Sequence, residues 1–311
     1  MHKCLLLAGI LLLLAAPIAC ADESSQTPVD DLSKDCWAHV ARCIDLKTHA
    51  IPPTQVLSLE FPLRFAERTF WDTAFMFTAP GRWDEYDWRR FSLLAGIGGG
   101  SFALDHQVDI ESRNRHPRGH TERDIEKWLQ YSGDYPAIAG MLGGSLLGGM
   151  IFHNEEAKSL AVDAGEALVI SNVVFTEPLK QVIGRSRPHD AQGPWHFKPF
   201  SGNASMPSGH STTAFSLAAA LSEHFENAPA AAIPSYTIAS IVAFSRVRGS
   251  DHFVSDVVIG AIIGTVSGRT VVKLERDRRH DAEGRPRTAT AWRLEPWIGV
   301  DVRGVQLATE W

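Results

Sequence analysis

Between residues 90 and 274 the sequence is divided into blocks with the apolar spacing of α-helices, and short loops rich in proline, glycine and histidine separate them. The predicted helices cover 90–107, 122–131, 136–153, 157–177, 212–226, 233–246 and 253–274. An apolar and aromatic segment that starts at Phe61 precedes them. This succession predicts an all-α helical bundle, to which we assign residues 61–274.

Two of the predicted helices carry a glycine at every fourth position. Glycines with this spacing lie on one face of a helix and let a second backbone approach closely. We interpret both faces as helix-packing surfaces within the bundle. The glycines are Gly140, Gly144 and Gly148 in the first helix and Gly260, Gly264 and Gly268 in the second.

The uncharged runs are short for membrane-spanning helices. The longest are 136–152 and 227–245, and the second contains two prolines. A comfortable span needs about 20 apolar residues. The other helical blocks carry Asp, Glu or Arg side chains. The sequence therefore favours a soluble or surface-apposed bundle over a polytopic membrane protein.

The first 21 residues have the organisation of a secretory signal peptide, with a short basic region, an uncharged apolar run and small residues before the cleavage point. A lipoprotein with Cys20 as its lipidated first residue is the alternative. Both predict export to a bacterial periplasm or its membranes. Residues 22–60 are interpreted as an extended arm, in which Cys36 and Cys43 favour a disulfide because the compartment is oxidising.

Both the charge and the period of the sequence change after residue 274. Residues 275–290 are highly charged and predict a solvated linker, whereas residues 291–311 alternate between apolar and polar positions. The alternation predicts a short β-hairpin-like tail that turns at Arg303 and Gly304. A lone hairpin is marginal in water, so the tail is expected to pack on another surface.

The overall charge of the chain restricts the partners that it can attract. It has 30 Lys and Arg against 36 Asp and Glu, a formal net charge of −6. This balance gives no general attraction to nucleic acid or anionic lipid. Nucleic acid is therefore not an expected partner, and any anion-binding site must be local.

Three cations stand in two stretches that are rich in functional side chains. In KQVIGRSRP, Lys180 and Arg187 are seven residues apart, a spacing that places both on the same side of a helix. Arg246, in the later stretch SRVRGSDHFVSD, is the third. Together these side chains are suited to neutralising the charge of a phosphoryl group.

The stretch SMPSGHSTTAF places Ser208, Gly209 and His210 at the start of a predicted helix. A helix N-terminus offers backbone N–H donors where the helix dipole favours an anion. Taken alone, Ser208 also fits an ordinary helix cap. Together with the three cations, however, this stretch predicts a phosphate-binding turn in which His210 is the general acid and base.

A second histidine is paired with a carboxylate. His252 and Asp256 are four residues apart, which places them on one helix face and lets the carboxylate hold the imidazole Nδ1–H. The Nε2 atom then remains available as a nucleophile. We therefore predict that His252 attacks phosphorus and that Asp256 orients it, without a metal ion.

In this order the three stretches resemble the signature motifs of the type 2 phosphatidic acid phosphatase superfamily, which includes bacterial acid phosphatases and vanadium haloperoxidases. The motifs are Lys-six-residues-Arg-Pro at 180–188, Pro-Ser-Gly-His at 207–210 and Ser-Arg-five-residues-His-three-residues-Asp at 245–256. Every motif position matches. The resemblance implies an α-helical bundle of the acid phosphatase/haloperoxidase type, a phosphohistidine intermediate and the residue roles assigned above.

The resulting hypothesis is a phosphatase for a phosphorylated lipid or a lipid-linked pyrophosphate, associated with the periplasm or a membrane surface. No cofactor is expected, although vanadate is expected to bind as a phosphate mimic. A broad-specificity periplasmic acid phosphatase for small soluble phosphomonoesters remains an alternative. Two others are a vanadate-dependent haloperoxidase and an inactive binding protein.

The loop at 190–203 lies between the first two motifs and carries Trp195, Phe197 and Lys198. Two interpretations stay open for it: the rim of a substrate entrance, or ordinary loop packing.

Overall fold

The computed structural model describes residues 61–114, 135–282, 291–298 and 303–310. The predicted signal peptide, the arm with Cys36 and Cys43, and Cys20 lie outside the described residues. The helices are α1 (Phe61–Thr78), α2 (Glu85–Ser101), α3 (Asp105–Asn114), α4 (Tyr135–Ile151), α5 (Glu155–Leu168), α6 (Glu177–Ile183), α7 (Gly209–His224), α8 (Pro229–Arg248) and α9 (Val254–Ala282). A π-helical segment, Val169–Thr176, joins α5 to α6, and two strands, β1 (Ala291–Ile298) and β2 (Arg303–Glu310), follow α9.

The predicted all-α bundle with a short β-hairpin tail is confirmed in this part of the chain. Strands β1 and β2 pair antiparallel, with Ile298 opposite Arg303. The predicted turn at Arg303 and Gly304 is wrong, because both residues belong to β2, where they pair with Ile298 and Trp297. The charged linker also begins later than predicted, because α9 continues to Ala282.

The predicted helix at 90–107 is interrupted. Helix α2 ends at Ser101, and a 3₁₀ turn at Phe102–Leu104 leads into α3, which starts at Asp105. Helix α2 begins with a capping box, in which the side chains of Asp84 and Asp87 accept hydrogen bonds from each other's backbone N–H groups. Asp105 consequently lies at the start of a separate helix instead of inside a continuous one.

Within the described part of the chain, the glycine face of α9 packs against a helix and that of α4 does not. A methyl group on Gly260 would lie 2.6 Å from the carbonyl oxygen of Ser208, and methyl groups on Gly264 and Gly268 would lie closer still to the α7 carbonyl oxygens of Thr212 and Ser216. Glycine is therefore required for the close contact between α7 and α9.

The α4 glycines have no such neighbour among the described residues, so helix packing at this face stays a prediction. Methyl groups on Gly140, Gly144 and Gly148 would meet no atom within 4 Å in the described structure. Helix α4 instead packs at Gly149, where a methyl group would lie 2.8 Å from Cγ of Lys158.

Small side chains fill the interior between α5, α7 and α9. Ala164, Ala220 and Val272 form one buried cluster, against which Leu142 and Leu217 pack. Alanine at these positions lets the three helices approach closely, as the glycines do between α7 and α9. The interior thus fixes how α7 lies against α9, and the N-terminal ends of both helices carry motif residues.

Three helical stretches are long and apolar enough to cross a membrane: 155–183, 229–248 and 254–279. The sequence favoured a soluble or surface-apposed bundle because several blocks carry charged residues. In the structure, Asp163 and Glu166 in the first stretch are buried against Arg68 of α1, so they do not face the surroundings of the bundle. The length and exposure of these helices favour membrane association.

Candidate active site

Ser208 stands at the N-terminus of α7, with its side chain inside the protein. Its backbone N–H donates to the carbonyl oxygen of Asp256 over 3.0 Å, which joins the second motif to the third. The Ser208 side chain does not cap α7. Its hydroxyl is fully buried and has no hydrogen-bond partner in the described residues. A buried hydroxyl without a partner is costly, and a bound ligand oxygen would remove that cost.

His252 lies in the turn before α9, so it does not share a helix face with Asp256 as predicted. Its Nδ1 atom is 2.7 Å from the carbonyl oxygen of Ser205 and 3.6 Å from Oδ2 of Asp256. Because a carbonyl oxygen only accepts, Nδ1 carries a proton, and in the neutral ring Nε2 then keeps its lone pair. The nearest group that orients the ring is therefore a backbone carbonyl, which the sequence analysis missed.

Asp256 fixes the surroundings of that carbonyl. Its Oδ2 accepts from the Ser205 hydroxyl over 2.6 Å and from the Phe253 N–H over 2.9 Å, and its Oδ1 accepts from Nη1 of Arg185 over 2.7 Å. The side chain of Asp256 is completely buried. Asp256 thus binds the hydroxyl of Ser205, whose carbonyl holds His252, and its Oδ2 also lies 3.6 Å from Nδ1 of His252.

The first motif does not form one helix. Helix α6 ends at Ile183 because Gly184 adopts a left-handed conformation with φ 60°, and Arg187 lies beyond it in extended backbone. The prediction that Lys180 and Arg187 share a helix side is therefore wrong.

Lys180 nevertheless lies at the α7 N-terminus. Its Nζ atom would be 3.1 Å from a methyl group on Gly209, and it donates to Oε1 of Glu177 over 2.6 Å. Arg187 is half-buried, and its guanidinium forms no hydrogen bond or ion pair with any described residue.

Arg246 and His210 complete the predicted set. Arg246 is buried in the last turn of α8, and its carbonyl oxygen accepts from the His252 N–H over 3.3 Å. Its Nη1 atom lies 3.4 Å from Oδ2 of Asp251. His210 is the second residue of α7 and is partly buried. The backbone thus holds Arg246 and His252 together, while His210 follows Ser208 and Gly209 at the neighbouring helix end.

Arg185 is a buried residue of this region that sequence reasoning missed. It lies two residues before Arg187, and its side chain is completely buried between Asp256 and Asp105. Its backbone carbonyl accepts from the Ser205 N–H over 3.0 Å, which ties the first motif to the turn before the second. The sequence signal that could have identified it is its position: it directly follows a helix-ending glycine within the first motif.

Three buried carboxylates at the other end of the bundle have oxygen atoms close enough together to hold a metal ion. They belong to Asp72, Glu166 and Glu275. Arg68 already lies between them, with Nη2 at 2.5 Å from Glu166 and Nη1 at 2.9 Å from Glu275, and Arg278 pairs with Asp72 and Glu275. Guanidinium groups therefore occupy the place that a cation would need.

Residues 160–280 match the family model of the PAP2 superfamily. Among curated proteins, the chain is similar to the lipid A 1-phosphatase of Rhizobium etli, with 37% identity over 35% of this chain and 50% of the relative. The lipid A 1-phosphatase of Rhizobium johnstonii is 34% identical over 44% of this chain and 57% of the relative. The chain spans about half the length of these two curated relatives.

The chain also resembles a solved structure, the first transmembrane PAP2 type phosphatidylglycerolphosphate phosphatase from Bacillus subtilis. The TM-score is 0.41 and the identity 20%, and the match covers 65% of this chain and 96% of that chain.

The family match contains all three motifs, from Lys180 to Asp256, and both helix ends that carry the histidines. The resemblance predicted from the motifs is therefore confirmed for residues 160–280, which match the model of the PAP2 superfamily.

Proposed function

We propose that this chain is a metal-independent phosphatase that hydrolyses a lipid-linked phosphate monoester or pyrophosphate. The observation that carries the proposal is the buried Ser208 hydroxyl without a partner at the α7 N-terminus, beside Lys180 and close in the fold to His252. A phosphoryl oxygen would satisfy this hydroxyl. The helix dipole and the three cations would stabilise the negative charge.

In the first half-reaction, Nε2 of His252 forms a bond to phosphorus while the bond between phosphorus and the ester oxygen breaks. His210 donates a proton to the leaving oxygen. The Nδ1–H of His252 stays on the Ser205 carbonyl, which keeps Nε2 directed at the substrate. Lys180, Arg187 and Arg246 bind the equatorial oxygens.

In the second half-reaction, a water molecule attacks the phosphohistidine. His210 accepts a proton from the water as the bond between phosphorus and Nε2 breaks, and inorganic phosphate leaves. The imidazole of His252 then returns to its starting state with the proton on Nδ1.

A lipid substrate fits the exposed apolar surface. Ile233, Ile238 and Phe244 on α8 are 67%, 62% and 69% exposed, and α8 is one of the helices long enough to cross a membrane. An apolar face of this kind is typical of a protein that contacts lipid. The curated relatives, which are named lipid A 1-phosphatases, give the same direction.

The loop at 190–203 adds a second argument for a lipid. Trp195 and Phe200 are 65% and 64% exposed. The loop is held in place, because the Lys198 N–H donates to Gly184 and the Phe200 N–H donates to Gln181, each over 2.8 Å, and the Trp195 ring stacks on Phe102. Fixed aromatic side chains beside a cation suit the boundary between headgroups and acyl chains. This favours the substrate-entrance interpretation of the loop.

The test is a substrate panel on the full chain in detergent micelles: lipid A, phosphatidate and the soluble ester p-nitrophenyl phosphate. We expect a higher kcat/KM for a micellar lipid phosphate than for the soluble ester. Equal values would favour the broad-specificity acid phosphatase. Turnover of none of the three would contradict a phosphatase.

A matched pair of variants tests the lipid contact separately. Trp195→Ala combined with Phe200→Ala is expected to lower kcat/KM for micellar lipid and leave the soluble ester unchanged. Phe225→Ala is the control, because Phe225 is 44% exposed at the far end of α7. An equal loss on both substrates would contradict a lipid-contacting role of the loop.

We also propose that the protein is exported and associated with a membrane in the periplasm. The mass of the mature N-terminus distinguishes the two routes predicted from the sequence. A free N-terminus near Asp22 indicates a cleaved signal peptide, whereas a lipid-modified Cys20 indicates a lipoprotein.

A further inference from the structure

A buried guanidinium lies between two buried carboxylates behind the candidate nucleophile. Nη1 of Arg185 is 2.7 Å from Oδ1 of Asp256, and Nη2 is 2.7 Å from Oδ2 of Asp105. All three side chains are completely buried. They come from three distant segments: α3, the turn after α6, and the first turn of α9.

Asp105 also binds the first turn of α9 directly. Its Oδ1 accepts from the Ser255 N–H over 3.0 Å, and its Oδ2 accepts from the Ser255 hydroxyl over 2.6 Å. The same hydroxyl accepts from Nη1 of Arg185 over 2.6 Å. Asp105 therefore contacts both Arg185 and Ser255, the residue that precedes Asp256.

Aromatic rings surround the guanidinium. Its central carbon lies 4.3 Å from the ring centre of Phe253, 5.2 Å from that of Phe102 and 5.3 Å from that of Phe197. These rings keep water away, so the charges interact in a medium of low polarity. Burying three charges is costly, and a neutral apolar packing would often be as stable. This cost calls for a role other than stability alone.

The network carries a net charge of −1, because two carboxylates share one guanidinium. The imidazole of His252 gains positive charge when Nε2 bonds to phosphorus and Nδ1 keeps its proton. Asp256 accepts from the hydroxyl of Ser205, whose carbonyl holds that proton. The network is thus placed to fix the ring and to favour its charged intermediate.

We propose that Asp105 is a positioning residue, which acts through Arg185 and Asp256 to hold His252 in the tautomer with the proton on Nδ1. Asp105 lies outside residues 160–280 and outside all three motifs. The inference deepens the proposed function and rests on it for its kinetic consequence. The tautomer itself does not depend on turnover.

The kinetic test is Asp105→Asn, which keeps the shape of the side chain and removes its charge. We expect kcat to fall about 10- to 100-fold, as for other groups that orient a reacting residue, with KM and inhibition by vanadate unchanged. Asp109→Asn is the matched control, because Asp109 is a buried carboxylate one turn further along α3. Equal kcat for Asp105→Asn and wild type overturns the proposal.

A double variant separates positioning from general stability. If Asp105 acts through Asp256, Asp105→Asn should lower kcat much less when Asp256→Asn is already present. Additive losses overturn the proposed route. Ser255→Ala is the second probe if Asp105→Asn folds poorly, since it removes one contact of Asp105 and one of Arg185. Its kcat should also fall, and wild-type kcat would count against the network.

A spectroscopic test does not require turnover. In protein labelled with ¹⁵N-histidine, the His252 signals, assigned by their absence in His252→Ala, should show the proton on Nδ1. Asp105→Asn should give a mixture of tautomers. An unchanged tautomer overturns the inference even if the wild type is active. If Asp105→Asn changes the tautomer but the wild type has no phosphatase activity, the positioning role stands and the proposed function is rejected.

Discussion

Two buried networks of charged side chains lie towards opposite ends of α9, and they are built differently. Asp256 and Glu275, one from each network, are about 28 Å apart along the helix axis at 1.5 Å per residue. At the phosphate end, Asp256 binds Arg185 and also a hydroxyl and a backbone N–H. At the far end, the carboxylates are balanced mainly by guanidinium groups.

Arginines bind part of the far-end network: Nη1 of Arg68 donates to Glu275 over 2.9 Å and Nη1 of Arg278 donates to Asp72 over 3.1 Å. Both carboxylate oxygens of Glu166 and of Asp163 lack a hydrogen bond among the described residues, although Arg68 and Arg279 lie within ion-pair distance. Burial alone would lower the pKa of Arg68, but the carboxylates of Glu166, Glu275 and Asp163 raise it above its ordinary value. Neutral donors therefore bind Asp256 alongside Arg185 at the phosphate end, whereas at the far end arginines join carboxylates of different helices.

The largest expected effect is at the phosphate end. His252→Ala removes the proposed nucleophile and should lower kcat by at least about a thousandfold, with the fold retained. His224→Ala, on the far end of α7, is the control and should keep its activity. Substantial turnover by His252→Ala, measured at equal folded protein by circular dichroism, would reject the nucleophile assignment.

Substitutions at the far end should lower the stability of the fold and leave the activity unchanged. Arg68→Met leaves buried carboxylates uncompensated and should lower the free energy of unfolding by about 3–5 kcal/mol, while activity per folded molecule stays near that of wild type. Arg64→Met, one turn earlier and exposed, should change the stability little. Denaturant unfolding together with active-site titration by vanadate checks both. A selective loss of kcat in Arg68→Met would break the comparison.

At the phosphate end, Ser208→Ala distinguishes a hydroxyl that binds the substrate from one that stabilises the fold. Removing a hydroxyl that binds the transition state should lower kcat by about 10²–10³, and the thermal midpoint should not fall, because the hydroxyl has no protein partner to lose. Ser211→Ala is the matched control, because its buried hydroxyl donates to the Val257 carbonyl over 2.7 Å. That variant should lose about 1 kcal/mol of stability and little activity. The reverse pattern would contradict the ligand role of Ser208.

The smallest expected effect is that of EDTA. Because Arg68 and Arg278 lie among the far-end carboxylates and the site uses cations of its own, chelation should leave turnover unchanged. Vanadate should inhibit competitively. Inactivation by EDTA that a divalent ion reverses would reject the metal-independent scheme.

The sequence predicted those parts of the site that depend on local spacing. The start of α7 at Ser208 and Gly209, and the closeness of His252 to Asp256, follow from residues within a few positions of each other. The apolar period likewise predicted the helices. The predicted roles of His210, Lys180, Arg187 and Arg246 stay predictions, although the backbone brings their segments together.

The parts that failed depend on contacts between distant segments. Arg185 meets Asp105 only because α3 packs against the start of α9, and no short spacing indicates that pairing. The Ser205 carbonyl could not be found as the partner of His252, because every residue carries a carbonyl. The α4 glycines have the same spacing as those of α9 but no close neighbour among the described residues, because spacing does not tell which helix face has a neighbour.

The glycines of α9 set how closely α7 and α9 approach, although they lie away from the proposed phosphate site. Gly264 lies one turn beyond Gly260, which contacts Ser208, and a side chain at Gly264 would push the Thr212 carbonyl of α7 away. The separation between the two histidine-bearing segments is therefore encoded in residues that touch neither histidine. A random screen for inactive but folded variants should recover substitutions at Gly264 alongside those in the three motifs.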